Sequence, residues 1–306
     1  MYYYKTGQFV EAFQQTTTPN IYRLWSLLFT ADKQLIVKHL ADFIREVQRG
    51  SAVGVWDRRA NLYLQVLYLT NREFEAFIDA ANRVTELVNA DEHDNYFTSL
   101  GVLLQRLSKN TAVSFVTGGR NEHLIGDSHV LPLSCSWNRD KSIVTFLPGV
   151  TLRELSSTLK LPAHYAFENA VSLRSSDRLV FSVGEIDQRE IYYRIDAIIR
   201  EEAKMKQRLQ NQIRAGLEFV ASMRSPFQDI CVLALPRYFE NVVPKYNQSH
   251  KVEIEKWVNW FADVYHESAE AAGLAISGKP ALDKAALHDK LDMAHFKPEF
   301  YEGFFD

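Results

Sequence analysis

The clearest pattern of apolar and polar positions in the chain lies between Asp187 and Met223. Its apolar residues recur every 3.6 positions or so, which is the period of a straight α-helix. Asp187 and Glu190 have the spacing of a capping box, so the pattern predicts one helix of roughly 37 residues and about 55 Å. The apolar positions are Ile191, Ile195, Ile198, Met205, Leu209, Ile213, Leu217 and Val220.

Helical spacing also dominates the first part of the chain, residues 1–110. Apolar positions three and four residues apart predict helices over 21–29, 31–49, 74–88 and 96–108. The nearly continuous apolar run at 62–69 fits either a buried strand or the start of a helix, and we favour the strand. Residues 1–110 therefore form a mainly helical N-terminal part.

The pattern changes to β between residues 111 and 186. Short apolar runs predict strands over 112–117, 129–133, 142–147 and 179–183, with a Gly-Gly turn at 118–119 and a longer hairpin loop around 138–140. Thr151 and Glu154 have the spacing of a capping box that opens a short helix. This stretch is therefore a β-rich central segment.

Helical spacing returns in the C-terminal part, residues 224–306, over 252–272 and 280–293. Because the predicted strands cluster between two helical parts, the fold class is α+β and not a sheet wound from βαβ units. We predict a mostly helical protein with a central β-rich segment, in which the helix at 187–223 acts as a spine. The whole amounts to one or two structural domains.

Composition places the chain among ordinary globular proteins. Of its 306 residues 46% are apolar and 24% are charged, and the net charge of −3 supplies no overall field for nucleic acid or anionic membranes. Two distant cysteines indicate free thiols in a reducing compartment. Neither a signal peptide nor a long apolar segment is recognisable, so we expect a cytoplasmic protein without a membrane partner.

One group of residues has the chemistry of a metal site. His123, Asp127 and His129, with Glu122 beside them, offer imidazole and carboxylate ligands of the kind that zinc and non-haem iron bind. Their spacing matches no established zinc motif. A polar surface loop between two strands explains the same residues, so a metal-dependent hydrolase is an alternative and no cofactor is assigned.

A second group is basic. Arg200, Lys204 and Arg208 recur every four residues along the predicted long helix, as a surface that follows a nucleic-acid backbone does. The same helix also has acidic residues at the i,i+4 positions that neutralise several of its bases. A nucleic-acid-associated protein is therefore a further alternative, and a solvated helix face is favoured over it.

Aromatic residues cluster at both ends of the chain and within one late helix. Such residues pack in a core or dock on another chain, since Trp and Tyr are enriched at protein interfaces. We expect at least one of these clusters to bind a protein partner or a second copy of the chain. The candidates are Tyr2, Tyr3, Tyr4, Trp257, Trp260, Phe300, Tyr301, Phe304 and Phe305.

Chemical motifs do not point to an enzyme. We find no P-loop, dinucleotide fingerprint or Gly-x-Ser-x-Gly elbow, and no motif specific enough to indicate a family. The sequence therefore favours a non-catalytic assembly or adaptor protein that acts through its aromatic ends. Its unfamiliarity suggests an origin in a phage or another mobile element.

Overall fold

A computed structural model describes most of the chain. The described residues are 2–16, 20–30, 32–49, 55–88, 95–109, 121–136, 142–172, 177–224, 229–237, 243, 245–278 and 295. Expectations that concern other positions lie outside this set. They include the strand at 112–117 and its Gly-Gly turn, the hairpin loop at 138–140, and the helix at 280–293.

Within the described residues the N-terminal part is helical. Its helices are α1 Tyr2–Lys5, α2 Phe9–Gln15, α3 Ile21–Phe29, α4 Lys33–Arg49, α5 Val55–Thr70, α6 Phe74–Val88 and α7 Asn95–Ser108. Each helix packs on the next one along the chain, as expected for short connections. Helix α5 carries the fully buried Tyr63, and the N-terminal helices belong to one apolar core with the rest of the protein.

The second part alternates strands with helices. The strands are β1 Glu122–Gly126, β2 Ser142–Phe146, β3 Arg178–Ser182, β4 Asp229–Leu233 and β5 Ala275–Ser277. The helices are α8 Val130–Ser136, α9 Leu152–Leu155, α10 Pro162–Ser172, α11 Glu185–Arg200, α12 Glu202–Ser222 and α13 Lys251–Ala271. A 3₁₀ helix, Lys245–His250, precedes α13.

The described strands form one five-stranded parallel sheet in the order β2-β1-β3-β4-β5. Strand β1 has β2 on one side and β3 on the other, with Leu124 opposite both Val144 and Val180. All five residues of β1 are buried. A strand covered on both faces is typical of parallel sheets, so β1 is the centre of this part of the fold.

The order of the strands reverses at β1. The chain moves outward from β1 to β2 through α8, and then returns past β1 to β3 and continues outward in the opposite direction. Right-handed crossovers therefore place α8 on one face of the sheet and the later helices on the other. The packing agrees, because α8 contacts α5 whereas α12 contacts α9 and α13. The carboxyl ends of β1 and β3 form the topological switch point, where open α/β sheets bind ligands.

The mostly helical α+β class is confirmed, with a small sheet at its centre. The expectation against βαβ units is wrong, because the crossovers between the strands are helical and the strands are parallel. The segment 129–133, predicted as a strand, belongs largely to α8, and 62–69 lies inside α5. In both cases a short apolar run was buried as helix, which periodicity alone does not distinguish from strand.

Two smaller predictions are confirmed. Thr151 and Glu154 form the predicted capping box at the start of α9. Cys135 and Cys231 are free and buried. The predicted C-terminal helical part is more mixed than expected, because it contributes β4 and β5 to the sheet as well as α13.

The helix predicted from Asp187 to Met223 is divided at Glu201, whose φ of −127° and ψ of 41° are not helical. Helix α11 begins at Glu185 after Gly184, so Asp187 is not its N-cap. Asp187 instead caps a different helix, because its carboxylate accepts hydrogen bonds from Leu152 N at 2.7 Å and Arg153 N at 3.2 Å. The buried carboxylate thus joins α11 to α9.

Burial raises the pKa of Asp187 to about 7, even though the two backbone amides at α9 favour its charged form. An unfolded aspartate titrates near 3.9. Between these two pH values the folded state holds a proton that the unfolded state has lost. The contribution of Asp187 to the free energy of unfolding therefore declines as pH rises through this window.

We expect the Asp187→Asn variant to gain stability relative to the wild type as the pH rises. The unfolding free energy of the variant minus that of the wild type should increase by about 2 kcal/mol between pH 5 and pH 8. Urea unfolding at both pH values measures this difference. Asp32 is the control, since its exposed carboxylate accepts from Leu35 N at 3.1 Å in the same way. Asp32→Asn should change stability equally at both pH values, and equal behaviour of the two variants would contradict the prediction.

Candidate active site

The turn that follows β1 brings a serine to the carboxyl edge of the sheet. Asp127 shapes this turn, since its Oδ1 accepts hydrogen bonds from His129 N at 3.0 Å and from Ser182 Oγ at 2.8 Å. The carbonyl of Asp127 then accepts from Val130 N, which begins α8. A short strand–turn–helix unit of this kind presents the residue at its tip, here the half-buried Ser128.

The turn depends on the close approach of β1 to β3. Gly126 has a φ of +155°, and a Cβ atom there would lie 2.1 Å from the carbonyl oxygen of Ser182. That oxygen also accepts a hydrogen bond from Asp127 N at 3.3 Å. Only glycine fits both the backbone conformation and the space, so the sequence of β1 fixes where the following serine lies.

The serine has a histidine partner that comes from far along the chain. The Nε2 atom of His295 lies 2.8 Å from the Oγ atom of Ser128, although the two residues are 167 positions apart in sequence. In the tautomer protonated at Nδ1, this Nε2 accepts the serine hydrogen. His295 is buried, with 6% of its surface exposed. A hydroxyl and an imidazole at this separation can act as a nucleophile and its general base.

A second histidine continues the arrangement towards α11. The ring of His129 lies against that of His295, with 4.7 Å between their centroids. His129 Nε2 is 3.2 Å from Glu185 Oε2, an ion-pair distance although the contact is poorly aligned as a hydrogen bond. Glu185 Oε2 also accepts from Arg189 at 2.5 Å. The switch point thus contains a chain of polar groups from Ser128 to Arg189.

The charges in this chain stabilise one another. Burial alone would lower the pKa of His129, but the Glu185 carboxylate outweighs it and raises the pKa. Burial alone would raise the pKa of Glu185, but Arg189 and His129 hold it far below its usual range. The charge of His295 acts on Glu185 in the same direction. The Glu185 carboxylate therefore stays ionised, and it attracts positive charge on Arg189, His129 and His295.

The turn also offers a hydrogen-bond donor beside the serine. The backbone N–H of Ser128 makes no hydrogen bond to another described residue, so it can donate to an incoming ligand. A negative charge that develops on an oxygen next to Ser128 Oγ would lie close to this donor. Backbone N–H groups in such positions stabilise the oxyanion of acyl-transfer reactions.

The structure separates the three residues of the predicted metal site. Asp127 and His129 lie in the turn, but His123 lies inside β1, where its Nε2 is 2.7 Å from Thr145 Oγ1. Four residues of a strand span about 13 Å, so His123 is too far from the turn to share an ion with it. In the part of the chain that the structure describes, no three His, Cys, Asp or Glu side chains could hold a metal ion. The metal site therefore gains no support from the described residues, and the metal-dependent hydrolase stays a prediction.

The basic residues Arg200, Lys204 and Arg208 are exposed, but they do not follow one uninterrupted helix. Arg200 ends α11, whereas the other two belong to α12 beyond the break at Glu201. Lys204 pairs with Glu201 at 2.9 Å. The predicted stripe is thus interrupted and partly neutralised, and nucleic-acid binding stays a prediction.

The aromatic candidates occupy different environments. Trp257 is 2% exposed and packs in the core, so it does not form an accessible surface, and the half-buried Trp260 packs against it. Tyr4 is buried between Phe9 and Phe29 of its own chain, whereas Tyr2 is 71% exposed and Tyr3 37%. The tail candidates lie outside the described residues, namely Phe300, Tyr301, Phe304 and Phe305.

Sequence reasoning missed Ser128, His295, Glu185 and Arg189. One signal was present, because Gly126-Asp127-Ser128 directly follows the apolar pair Leu124-Ile125. A glycine and a polar turn at the end of a buried strand indicate an edge where sites form. The apolar pattern over 129–133 predicts a strand, and this conceals the strand–turn–helix order. His295 gives no comparable signal, because its partner is remote in sequence.

Comparison with known proteins does not assign the chain. No family model matches it, no curated protein matches it, and no solved structure matches it. None of the described helices is both long enough and apolar enough to cross a membrane.

Proposed function

We propose that the protein is a serine hydrolase that cleaves an ester by nucleophilic acyl transfer, with Ser128 as the nucleophile and His295 as the general base. The observation that carries the proposal is the distance of 2.8 Å between Ser128 Oγ and His295 Nε2. Its position supports the proposal, since the pair lies where the strand order reverses. The sequence alone, in which this pair is not recognisable, predicts a non-catalytic assembly protein. That alternative stays a prediction.

The chemistry follows from the arrangement of the atoms. Ser128 Oγ attacks the ester carbonyl carbon while its proton moves to His295 Nε2, and the backbone N–H of Ser128 donates to the resulting oxyanion. The bond from carbon to the leaving oxygen then breaks, and His295 returns the proton to the departing alcohol. In the second half of the reaction a water molecule attacks the acyl carbon while its proton moves to His295 Nε2. The bond between that carbon and Ser128 Oγ then breaks, and His295 returns the proton to the serine oxygen, which releases the acid.

Two carboxylates have supporting roles in this scheme. Asp127 is fully buried, and its hydrogen bonds hold the turn that carries the nucleophile. Glu185 stays ionised and lies within electrostatic range of His295. The positive charge that His295 acquires as it takes the serine proton is therefore attracted by the Glu185 carboxylate, which His295 shares with Arg189 and His129.

A fluorophosphonate probe tests this proposal directly, because it forms a stable phosphonyl bond only with an activated serine. We expect the wild type to gain the mass of one probe less hydrogen fluoride, since fluoride leaves as the phosphonyl bond forms, with the adduct mapped by peptide mass spectrometry to Ser128. His295→Gln should label at least about 100 times more slowly, because a general base contributes about 10²–10⁴-fold.

Ser156 serves as the control, since this half-buried C-cap residue of α9 only donates its hydroxyl to the carbonyl of Arg153. Ser156→Ala should label like the wild type. An unlabelled wild type that is folded by circular dichroism would overturn the assignment of Ser128 as a nucleophile, and so would an adduct on another residue.

A further inference from the structure

Helix α11 extends the chain of polar groups at the proposed active site beyond Glu185. Glu185, Arg189 and Tyr193 are spaced four residues apart, so they lie on one face of the helix. Helical side chains lean towards the N-terminus of their helix. The N-terminus of α11 is the end that follows β3, so the side chain of Arg189 extends towards the edge of the sheet where Ser128 lies.

Arg189 uses only part of its hydrogen-bonding capacity there. One terminal nitrogen donates to Glu185 Oε2 at 2.5 Å. Among the described residues the guanidinium has no other hydrogen-bond partner, although it carries five N–H groups in a fixed planar fork. Its side chain is 32% exposed. Arg189 can therefore hold its place through Glu185 and still bind a second group from the solvent side.

The exposed charge at this place is positive. Asp127 is fully buried, and only 11% of the Glu185 side chain is exposed, so both carboxylates are turned away from solvent. Both act on Arg189 and keep its pKa above the usual value against the effect of burial. Tyr193, 51% exposed, lies one turn further along. A ligand that approaches along α11 thus meets a fixed cation beside an aromatic ring.

We infer that Arg189 selects substrates that carry a carboxylate group in addition to the ester that is cleaved. This inference rests on the proposed function, and it adds the chemical class of the substrate. A guanidinium with free parallel donors binds a carboxylate through two hydrogen bonds. The carboxylate would lie against Arg189 and the ester carbonyl against Ser128.

The kinetic test compares two 4-nitrophenyl esters of similar length, the monoester of adipic acid and the ester of hexanoic acid. Only the first has a terminal carboxylate. We expect the wild type to have a kcat/KM at least about tenfold higher for the adipate ester. Arg189→Gln should lower kcat/KM for both esters, because Arg189 also keeps Glu185 ionised. The ratio of the two values, adipate ester over hexanoate ester, should fall about tenfold or more, while Arg189→Lys should retain part of the preference.

Arg194 provides a matched control on the same helix. It is exposed and pairs with Glu190 at 3.5 Å, so Arg194→Gln removes an identical charge and a similar ion pair outside the proposed site. This variant should keep the wild-type preference. Equal losses of Arg189→Gln on both esters would overturn the inference and indicate that Arg189 only supports Glu185. The absence of a preference in the wild type would overturn it as well.

A binding measurement separates this inference from the proposed function. Adipate itself contains no ester, so its binding, followed by nuclear magnetic resonance titration, does not depend on turnover. If the fluorophosphonate probe fails but adipate binds to the wild type and not to Arg189→Gln, the hydrolase assignment is wrong and the carboxylate site stands. If the probe labels Ser128 and adipate does not bind to the wild type, the carboxylate site is wrong and the hydrolase assignment stands.

Discussion

The Ser128→Ala variant is expected to hydrolyse 4-nitrophenyl esters with a kcat at least about 10⁴-fold below that of the wild type. The reason is that its methyl group has no oxygen to attack the carbonyl carbon. The side chain is only half-buried and makes one side-chain hydrogen bond, to His295, so its removal should leave the fold intact. Steady-state kinetics together with thermal unfolding measures both effects.

The double variant Ser128→Ala/His295→Gln tests whether the two residues act as one unit. His295→Gln alone should lose a comparable factor, and combining it with Ser128→Ala should add little, because residues that act as one unit in catalysis are not additive. If the fold-loss in kcat of the double variant equals the product of the two single fold-losses, the residues act independently. Undiminished turnover by Ser128→Ala would assign the esterase activity to another site.

The second large effect concerns stability. Gly126→Ala is expected to lower the free energy of unfolding by about 3–5 kcal/mol, combining backbone strain with a steric conflict. The φ of +155° is unfavourable for alanine, and the new Cβ would meet a backbone oxygen at 2.1 Å, which no side-chain movement relieves. Urea unfolding monitored by circular dichroism gives the value.

The Gly273→Ala variant distinguishes the effect of backbone strain from that of the steric conflict. Gly273 also has a positive φ, +73°, but a Cβ there would meet only the end of the Arg224 side chain at 3.8 Å. Gly273→Ala should therefore cost only about 1–2 kcal/mol. If the two variants are equally stable, the contact between β1 and β3 is not as close as described. A Gly126→Ala chain that does not fold at all, beside a folded Gly273→Ala, agrees with the prediction.

Much of the fold could be predicted from local patterns. Helices α3, α4, α6 and α13 follow from apolar spacing, because each buries one face and exposes the other. The capping box of Thr151 was equally local. Tertiary packing determined the rest. The apolar run at 62–69 is buried around most of its circumference as part of α5, and such a segment shows no helical period.

The break at Glu201 shows another limit of periodicity. The apolar spacing continues across it from Ile198 to Met205, since α11 and α12 both bury residues against the same neighbour, α13. A period therefore reports which side of the chain is buried and not whether the helix is continuous. Asp187 illustrates the same point, because its capping role is real but belongs to α9, which no local pattern could reveal.

The site was harder to predict than the fold. Its residues come from the turn after β1, the start of α11 and position 295, and they meet only through the parallel sheet. The polar residues around 122–129 were recognised as chemically important. A metal site was one alternative for them because His123 and His129 are close in sequence, whereas His123 lies inside β1 and His129 in the turn that follows it.

The distance in sequence between Ser128 and His295 also has a consequence for synthesis. A ribosome adds about 5–20 residues per second, so the 167 residues added after Ser128 to reach His295 take roughly 8–33 seconds to translate. Throughout that interval the nascent chain contains the nucleophile without its base. We therefore expect hydrolytic competence to appear only after position 295 has emerged and folded back onto the sheet, which separates the onset of chemistry in time from the formation of β1.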